Sequence, residues 1–253
     1  MLTRAAYDAA GAVWGSGPQS VYDELARPLV AAAGDLRGRR CLDVGTGAGA
    51  VAGQLRQHGA DVVAADQSLG MLRPHAATRP PAVVCDVAAL PFSAGAFDLV
   101  TAGFVLNHVD DAVGGLRELA RVGRTLVATT FGGEAGVEVK EALQAVLEQH
   151  GFSSPSWYSE LQHCPLHRPT VGQARAVLGA AGLRSVEVVQ HDVVVSLTAD
   201  QAMAWRWGMA QTAAFVGGLA PDERAALEVA GREALGDVGP VAFPVLVMVG
   251  QSS

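Results

Sequence analysis

A carboxylate followed at once by a glycine-rich loop is the feature of this chain best suited to chemistry. The run Cys41-Leu42-Asp43-Val44 is apolar apart from its aspartate, and it leads into Gly45-Thr46-Gly47-Ala48-Gly49. The pattern predicts a buried strand that ends in a tight loop, with an amphipathic helix after it. Glycine permits positive φ angles and lets a ligand come close to the backbone. In open α/β sheets, this crossing from strand to helix is where nucleotides bind.

The charge of Asp43 separates two classes of nucleotide ligand. The spacing Gly45-x-Gly47-x-x-Ala50 also satisfies a relaxed dinucleotide pattern, in which a pyrophosphate lies on the loop and on the helix N-terminus. A carboxylate at Asp43 would repel that pyrophosphate. S-adenosylmethionine has no phosphate, and its sulfonium and ammonium groups suit an acidic strand end. A dinucleotide-dependent oxidoreductase is therefore the alternative that Asp43 opposes.

The run from Leu42 to Gly49 resembles the first motif of class I S-adenosylmethionine-dependent methyltransferases. The resemblance covers residues 39 to 130 well and the remainder in outline. Within the family, the core most resembles the ubiquinone/menaquinone-type and natural-product branches. The resemblance implies S-adenosylmethionine as the cofactor, and it places five residues of this strand and loop at the cofactor site: Asp43, Gly45, Thr46, Gly47 and Gly49.

A second acid follows at the interval that an adenosine ligand requires. The run Asp61-Val62-Val63-Ala64-Ala65-Asp66 predicts a buried strand that ends in a carboxylate about 20 residues after the glycine loop. An acid at this place accepts hydrogen bonds from the ribose hydroxyls. The resemblance also places Gln67 beside the ribose and Met71 on one face of the adenine. A simple core role for Met71 stays open.

Two further strand ends complete the cofactor site that the resemblance implies. The run from Ala82 to Val87 predicts a third strand that reaches Asp86. In the family, an aspartate at this place accepts the adenine amino group, and its neighbour, here Val87, donates a backbone N–H to the ring. The run from Phe97 to Phe104 resembles the fourth motif, so Gly103 is expected to contact the methionine part of the cofactor.

The candidates for catalysis lie outside the glycine loop. Methyl transfer needs alignment, a dry site and, for many acceptors, a base that takes one proton. His108 follows the fourth strand and has the pKa class of such a base, with a structural role left open. Tyr7 resembles the tyrosine that many small-molecule methyltransferases place over the methionine end of the cofactor. His163 and His167 are further candidates.

The sequence predicts no metal site. The segment from His163 to His167 offers three zinc ligands, but Pro165 disturbs helical spacing and no second Cys/His cluster completes a tetrahedral site. The segment from Asn107 to Asp111 offers oxygen ligands for magnesium. Carboxylates at the start of a helix explain these acids better.

Length and composition are consistent with the small-molecule methyltransferase that the resemblance implies, and a cytoplasmic location is expected. A chain of 253 residues, half of them apolar, is expected to form a single methyltransferase domain over 1–253. The net charge of −7 and the absence of a basic cluster beyond Arg37 to Arg40 argue against a nucleic-acid partner. Three widely spaced cysteines and no visible N-terminal signal predict a reducing compartment. The longest apolar run, Val241 to Val249, is far shorter than the ~20 residues of a membrane span.

The order of predicted elements indicates a Rossmann-like α/β fold. We expect a doubly wound sheet of seven strands, mostly parallel with the last strand antiparallel, and helical lid insertions. Helices are predicted at Ala48 to His58 and at Asp111 to Val122. The fifth strand is predicted at Arg124 to Thr130, and the last two at Val186 to Leu197 and at Val241 to Val249.

Three segments outside the sheet are rich in aromatic residues and histidine: about 1–30, 131–170 and 198–236. They are predicted to be cap elements that build a mostly apolar pocket for an acceptor. The third segment is predicted to hold helices from Ala199 to Phe215 and from Pro221 to Leu235. Two tryptophans in the first of these helices, at positions 205 and 207, cannot both face one core. One of them is therefore expected to line the pocket, while burial on the core face of an ordinary helix stays open for Trp207, as it does for Met203 and Ala210.

The sequence thus predicts methyl transfer from S-adenosylmethionine to a small organic acceptor, in cofactor or secondary metabolism. The accepting atom, whether oxygen, nitrogen or carbon, stays undetermined, as does the oligomeric state. Methylation of a base amino group is disfavoured, because the family's Asn/Asp-Pro-Pro-aromatic run is replaced here by Ala102-Gly103-Phe104-Val105. The alternative is a protein of the same fold that uses the cofactor for rearrangement or cyclisation, or only binds it.

Overall fold

The computed structural model describes residues 2–74, 76–133 and 136–252, with side chains described from Arg4 onward. The described residues form a seven-stranded sheet. Its strands are β1 (Arg40–Val44), β2 (Asp61–Asp66), β3 (Ala82–Val84), β4 (Phe97–Gly103), β5 (Gly123–Phe131), β6 (Arg184–Val195) and β7 (Val241–Gln251). Their order is β3-β2-β1-β4-β5-β7-β6. Strands β1 to β5 pair in parallel, and β7 runs antiparallel between β5 and β6. The predicted fold class is confirmed.

Helices cover both faces of this sheet. They are α1 (Leu2–Trp14), α2 (Pro18–Ala32), α3 (Ala50–Gln57), α4 (Leu69–Leu72), α5 (Ala112–Val122), α6 (Val137–Gln149), α7 (Ser156–Glu160), α8 (Val171–Ala180), α9 (Ala199–Trp207), α10 (Ala213–Gly218) and α11 (Pro221–Leu235). Short 3-10 turns span Leu106–His108 and Leu161–His163. No helix in the described ranges combines the length and the apolar character needed to cross a membrane.

The two faces of the sheet are buried in separate hydrophobic clusters. Leu25 and Leu29 of α2 pack with Leu55 of α3 on one face. Leu116 of α5 and Leu178 of α8 pack in the cluster on the other face. Because the central strands are covered on both sides, they read in the sequence as continuous apolar runs rather than as alternating ones.

The parallel register brings the polar strand ends to one edge of the sheet. Asp43 on β1 lies opposite Ala64 on β2 and opposite Thr101 on β4. Asp66, the last residue of β2, lies opposite Val84 on β3. Ligands of open α/β sheets bind outside the carboxyl ends of the strands, where the strand order reverses. Here the order reverses between β1 and β4, so this edge is the place to look for a site.

The helix predicted from Ala199 to Phe215 is two helices. Helix α9 ends at Trp207, and the chain turns through Gly208, which packs against Pro18, before α10 begins at Ala213. The Thr212 hydroxyl donates to the Arg206 carbonyl at 2.7 Å and stabilises this turn. The predicted single helix is therefore wrong in its second half.

The expectation that Trp205 or Trp207 faces a pocket is also wrong, because α9 is buried on two sides. The Trp205 ring packs against Phe243 beneath the sheet, with ring centroids 5.3 Å apart. Trp207 packs instead with Met203 and Leu143 in a separate cluster between α6, α9 and α11. Only 3% of Trp205 and 7% of Trp207 are exposed.

Helix α1 crosses α4 at a contact that only glycine permits. A Cβ on Gly70 would overlap the Asp8 backbone, and a Cβ on Gly11 would overlap the Gly70 carbonyl. The two backbones therefore lie in direct contact. This crossing places the α1 side chains above the carboxyl edge of the sheet.

The Gly70→Ala substitution tests this crossing. We expect it to lower the free energy of unfolding by about 1–3 kcal/mol, because the added methyl must push α1 away from α4. The matched control is Gly53→Ala in α3, where a Cβ meets nothing within 4 Å. That change should raise stability by about 0.5–1 kcal/mol, since it removes backbone freedom from the unfolded chain. Urea unfolding measures both, and equal stability of the Gly70→Ala variant and the unchanged protein would contradict the close crossing.

Candidate active site

The glycine loop after β1 adopts a conformation that L side chains rarely take. Gly45, Gly47 and Gly49 have φ angles of +64°, +55° and +94°. A Cβ on Gly45 would collide with the Val105 side chain, so this position has no room for another residue. Helix α3 begins at Ala50, two residues later than predicted, because the left-handed Gly49 cannot belong to a right-handed helix.

Asp43 is buried, and both of its carboxylate oxygens contact the scaffold. Oδ2 accepts from the Ala52 backbone N–H at 3.2 Å and so holds the first turn of α3. Oδ1 accepts from the Thr101 hydroxyl of β4 at 2.8 Å. Burial raises the pKa of Asp43 to about 6, although these hydrogen bonds oppose the rise; the charge of nearby Asp66 adds to it. The acid thus joins β1, α3 and β4 as well as presenting charge to the sheet edge.

Asp66 ties the glycine loop to the turn after β2. Its Oδ2 accepts from the Gly47 N–H, and its Oδ1 accepts from the Ser68 N–H, both at 2.8 Å. Burial raises the pKa of this carboxyl, while the backbone hydrogen bonds lower it. Each carboxylate oxygen keeps a second lone pair for a ligand. The geometry therefore allows Asp66 to hold the loop and to accept further hydrogen bonds.

A third acid, which the sequence reading missed, fastens α1 to this region. Asp8 Oδ1 accepts from the Ser68 hydroxyl at 2.7 Å and from the Gly70 N–H at 2.8 Å. These hydrogen bonds lower the pKa of Asp8. No local signal marks the contact, because its partners lie 60 and 62 residues away in the chain.

A cavity of about 560 Å³ lies at this edge of the sheet. Of the thirteen predicted site residues, twelve line it: Tyr7, Asp43, Gly45, Thr46, Gly47, Asp66, Gln67, Met71, Asp86, Val87, Gly103 and His108. Gly49 does not line it; its left-handed backbone lies just before α3. The lining residues that were not predicted as site residues include Trp14, Gln19, Tyr22 and Phe104. The aromatic content of the first cap segment signalled Trp14 and Tyr22, whereas nothing local singled out Gln19.

The predicted adenine and methionine contacts differ in burial. Met71 is 2% exposed and packs with Ala10 and Trp14, so it belongs to a hydrophobic cluster as well as to the cavity wall. Asp86 is exposed at the rim, where its Oδ1 accepts from the Ala88 N–H at 2.9 Å. Gly103 and Val51 both line the cavity, and a Cβ on Gly103 would lie only 3.1 Å from the Val51 side chain. A larger residue at position 103 would therefore crowd this part of the wall.

Tyr7 and His108 meet inside the cavity. The Tyr7 hydroxyl lies 3.3 Å from His108 Nε2, and the two rings pack edge to face with centroids 5.8 Å apart. Burial, followed by the nearby His167, lowers the pKa of His108 to about 4, and burial raises the pKa of Tyr7. Both groups are therefore neutral at pH 7. His108 Nδ1 is buried and has no hydrogen-bond partner among the described residues.

The two segments considered for metals contact each other but do not form a group of metal ligands among the described residues. Within the described ranges, no three His, Cys, Asp or Glu side chains are grouped as metal ligands. Cys164 Sγ instead donates to Asp110 Oδ1 at 3.5 Å, and His163 is exposed. Cys41, Cys85 and Cys164 are free thiols.

Comparison with known proteins agrees with this geometry. Residues 42–125 match the family described as methyltransferase domain. This segment begins in β1 and contains the glycine loop, Asp66, Asp86 and His108. Over these residues the chain is similar to a methyltransferase domain, and S-adenosylmethionine is the cofactor that this match supports.

The relatives of this methyltransferase domain match over part of their length. The demethylmenaquinone methyltransferase of Mycolicibacterium paratuberculosis is 45% identical over 87 residues, which are 34% of this chain and 38% of that protein. The one of Renibacterium salmoninarum is 36% identical over 144 residues, 52% of this chain and 61% of that protein. The matches thus span less than two thirds of these relatives.

A solved structure extends the likeness of the fold over nearly the whole chain. It is a chain from the complex between the Haloferax volcanii Trm112 methyltransferase activator and a methyltransferase. The TM-score is 0.60 at 19% identity, and the match covers 99% of this chain and 97% of that one. At this identity the likeness shows the fold alone.

The raised pKa of Asp43 predicts a specific dependence of stability on pH. The folded value of about 6 lies above the ordinary 3.8, so the folded protein binds more protons between these values. The contribution of Asp43 is therefore complete below pH 4 and is lost as the pH rises through 6. An asparagine at this position does not titrate, and its amide can bond both the Ala52 N–H and the Thr101 hydroxyl. In the unchanged protein, the free energy of unfolding should fall by about 3 kcal/mol between pH 4 and pH 7 because of Asp43. We expect Asp43→Asn to abolish this fall.

Urea unfolding at several pH values measures this difference. The control is Asp61→Asn, which changes an exposed carboxylate at the start of β2. That variant should keep the pH dependence of the unchanged protein. Parallel stability curves for Asp43→Asn and the unchanged protein would rule out a raised pKa at Asp43.

Proposed function

We propose that this protein transfers a methyl group from S-adenosylmethionine to a small organic acceptor. The observation that carries the proposal is the meeting of Asp43, the glycine loop and Asp66 at one edge of the sheet, beneath one cavity. All three lie in the segment that matches the methyltransferase family. That match and the alignments with curated relatives each cover part of the chain, so the methyl-transfer activity of the whole protein is proposed from them and from the cavity together.

The charges in the cavity favour a cationic cofactor. Asp43 and Asp66 are 1% and 9% exposed. Neither takes part in an ion pair between described side chains. Buried acids without a basic partner are costly, and a positively charged ligand offsets that cost. A sulfonium and an ammonium supply such charge, whereas a pyrophosphate would add repulsion.

Each part of the cofactor has residues that would hold it. Asp43 would face the charged methionine end, beneath Tyr7. Asp66 would accept the ribose hydroxyls through its remaining lone pairs. The other proposed contacts are those expected from the resemblance: Gln67 at the ribose, Met71, Asp86 and Val87 at the adenine, and Gly103 at the methionine part.

The chain's own residues supply alignment, dryness and a proton acceptor. When bound, the cofactor supplies a methyl carbon activated by its sulfonium. Helix α1 contributes Tyr7 and Trp14 to the cavity wall, and exclusion of water by this wall when ligands bind would strengthen the electrostatic contacts inside. The His108 imidazole, neutral at pH 7, is the group that would take a proton from the acceptor, and the Tyr7 hydroxyl, 3.3 Å from its Nε2, would orient the ring.

We further propose that the segments 1–30, 131–170 and 198–236 cap the acceptor side of a single domain over 1–253. The first of them supplies Tyr7, Trp14 and Tyr22 to the cavity wall. The wall continues outward through Phe104 to Phe131, with ring centroids 4.6 Å apart. An aromatic wall of this kind supports a small, flat acceptor. The cytoplasmic location and a role in cofactor or secondary metabolism stay predictions.

A non-methylating use of the cofactor is the second candidate. It is favoured by the lowered pKa of His108, because an imidazole with a pKa of about 4 is a weak base. Rearrangement or cyclisation near the sulfonium would need no such base. Product analysis separates the two, because only methyl transfer releases S-adenosylhomocysteine.

The Asp66→Ala substitution tests the ribose contact. We expect it to weaken binding of S-adenosylhomocysteine about 10- to 100-fold. This factor corresponds to the free energy of a hydrogen bond between a carboxylate and a ribose hydroxyl. Calorimetric titration measures the affinity, and a thermal melt confirms that the variant is folded. Asp61→Ala, at the other end of the same strand, should bind as the unchanged protein does. An unchanged affinity in folded Asp66→Ala would remove this role, and binding of reduced NAD by the unchanged protein would contradict the cofactor.

The His108→Ala substitution tests the proton acceptor. If His108 takes the proton, turnover should fall about 10²–10⁴-fold while the affinity for S-adenosylhomocysteine changes little. The pH profile of kcat/KM in the unchanged protein should also lack a limb near the ordinary histidine pKa, because His108 stays neutral down to about pH 4. Release of S-adenosylhomocysteine measures turnover. Full turnover in His108→Ala would assign the residue a structural role.

A further inference from the structure

Three basic side chains come together beside the aromatic wall of the cavity. Lys140 of α6, His167 and Arg206 of α9 come from three separate parts of the chain, and we call them the cationic recess. Lys140 is the single lysine of the sequence. The second and third cap segments therefore deliver their basic groups to one place, although they contribute no residue to the wall of the cavity described above.

Arg206 is the most buried member of the recess. Only 8% of the residue is exposed, its Nε has no hydrogen-bond partner, and its guanidinium lies 5.5 Å from the Trp205 ring centre. Burial lowers the pKa of Arg206, whereas Tyr158 and Tyr22 raise it, Tyr158 partly through a hydrogen bond. A buried charge without an acidic partner is costly and is seldom kept for stability alone.

Lys140 and His167 link Arg206 electrostatically to His108, the candidate base. Lys140 is half-buried, with Nζ 6.0 Å from the Phe131 ring centre. Burial and then Arg206 lower the pKa of Lys140 to about 8. Burial and then Lys140 lower the pKa of His167, and His167 in turn acts on His108. The four basic groups thus form a series in which the charge of each affects the pKa of the next, from Arg206 to His108.

Within the described ranges, no acidic side chain forms an ion pair with the recess. None of the ion pairs between described side chains includes Lys140, His167 or Arg206. Lys140 and His167 are half-buried, so part of each remains open to a ligand. His167 Nδ1 is also buried without a hydrogen-bond partner.

Aromatic rings link the recess to the cavity. Tyr22 and Phe104 line the cavity and pack edge to face, with centroids 5.5 Å apart. Phe104 then contacts Phe131, over which Lys140 lies. A flat molecule on this wall would have one end at His108 and the cofactor site, and its other end at the basic groups.

We propose that the cationic recess binds an anionic oxygen group of the methyl acceptor, so that the acceptor is a small organic acid. That the bound molecule accepts a methyl group rests on the proposed function. That it carries a negative charge rests on the recess alone. Arg206 supplies the planar donor fork that suits carboxylates, Lys140 adds a compact positive charge, and the aromatic wall holds the apolar body.

The first test compares two probes that differ in one charge. Calorimetry measures 4-hydroxybenzoate and its neutral methyl ester on protein saturated with S-adenosylhomocysteine. We expect the carboxylate to bind at least 10-fold more tightly. Arg206→Met and Lys140→Met should each remove this preference and leave ester binding unchanged, whereas Arg175→Met, an exposed arginine of α8, should keep it. Equal affinity of the two probes, or no binding of the carboxylate, would overturn the proposal.

The second test asks whether Arg206 serves stability or binding. Because it removes a buried charge that has no acidic partner, Arg206→Met should leave the melting temperature of the ligand-free protein unchanged or raise it. A merely structural arginine would give the opposite result. A large fall in melting temperature, together with undiminished carboxylate binding, would assign Arg206 to the core and refute the recess.

The single lysine permits a direct titration of the recess. Reductive methylation with ¹³C-formaldehyde labels Lys140 and the N-terminal amine, and NMR follows each with pH. We expect a pKa of about 8 for Lys140 in the ligand-free protein. Added 4-hydroxybenzoate should raise it, because a negative neighbour favours the charged amine. An unchanged Lys140 resonance in the presence of saturating carboxylate would show that the anion binds elsewhere.

The assays separate failure of the recess from failure of methyl transfer. Release of S-adenosylhomocysteine is measured apart from binding, with carboxylate and neutral phenols as acceptors. Carboxylate discrimination without any release would uphold the recess and remove the proposed function. Release from neutral phenols, with no discrimination in binding, would uphold the function and overturn the recess.

Discussion

The buried carboxylate of Asp43 connects three elements on which the site depends. One oxygen holds the first turn of α3 through the Ala52 N–H, and the other accepts from Thr101 on β4. The glycine loop lies between these contacts, so its position follows from them. Asp66 then fixes the loop from the other side through the Gly47 N–H. Two acids that a binding site needs for their charge are thus also the acids that hold the scaffold in place.

The cavity and the cationic recess beside it differ in charge. Asp43 and Asp66 line the cavity without a basic ion-pair partner among the described side chains, and Lys140 and Arg206 lie in the recess without an acidic one. Each pair of charges is costly in the ligand-free protein and is relieved by a ligand of opposite charge. His108 lines the cavity and stays neutral, because burial and nearby His167 oppose its protonation.

Helix α1 closes this site through a contact of backbone on backbone. Gly70 permits the approach, and the Asp8 carboxylate fastens it by accepting from the Ser68 hydroxyl and from the Gly70 N–H. Ser68 also donates its backbone N–H to Asp66, so the cover and the proposed ribose contact share one turn of chain. Changes at this turn should therefore affect α1 and the cofactor site together.

Local patterns in the sequence determined the sheet, the glycine loop and the acids at the strand ends, because strand burial and turn conformation depend on neighbouring residues. Twelve of the thirteen predicted site residues line one cavity, and those beyond the glycine loop and the strand-end acids were predicted through the family resemblance. Tertiary structure alone decided the rest. Contacts between residues far apart in the chain decided four features. They are the break between α9 and α10, the burial of both tryptophans, the Asp8 contact and the pairing of Tyr7 with His108. The approach of Lys140 to Arg206 is of the same kind, since no local pattern around either residue predicts it, and only folding buries Arg206 and half-buries Lys140.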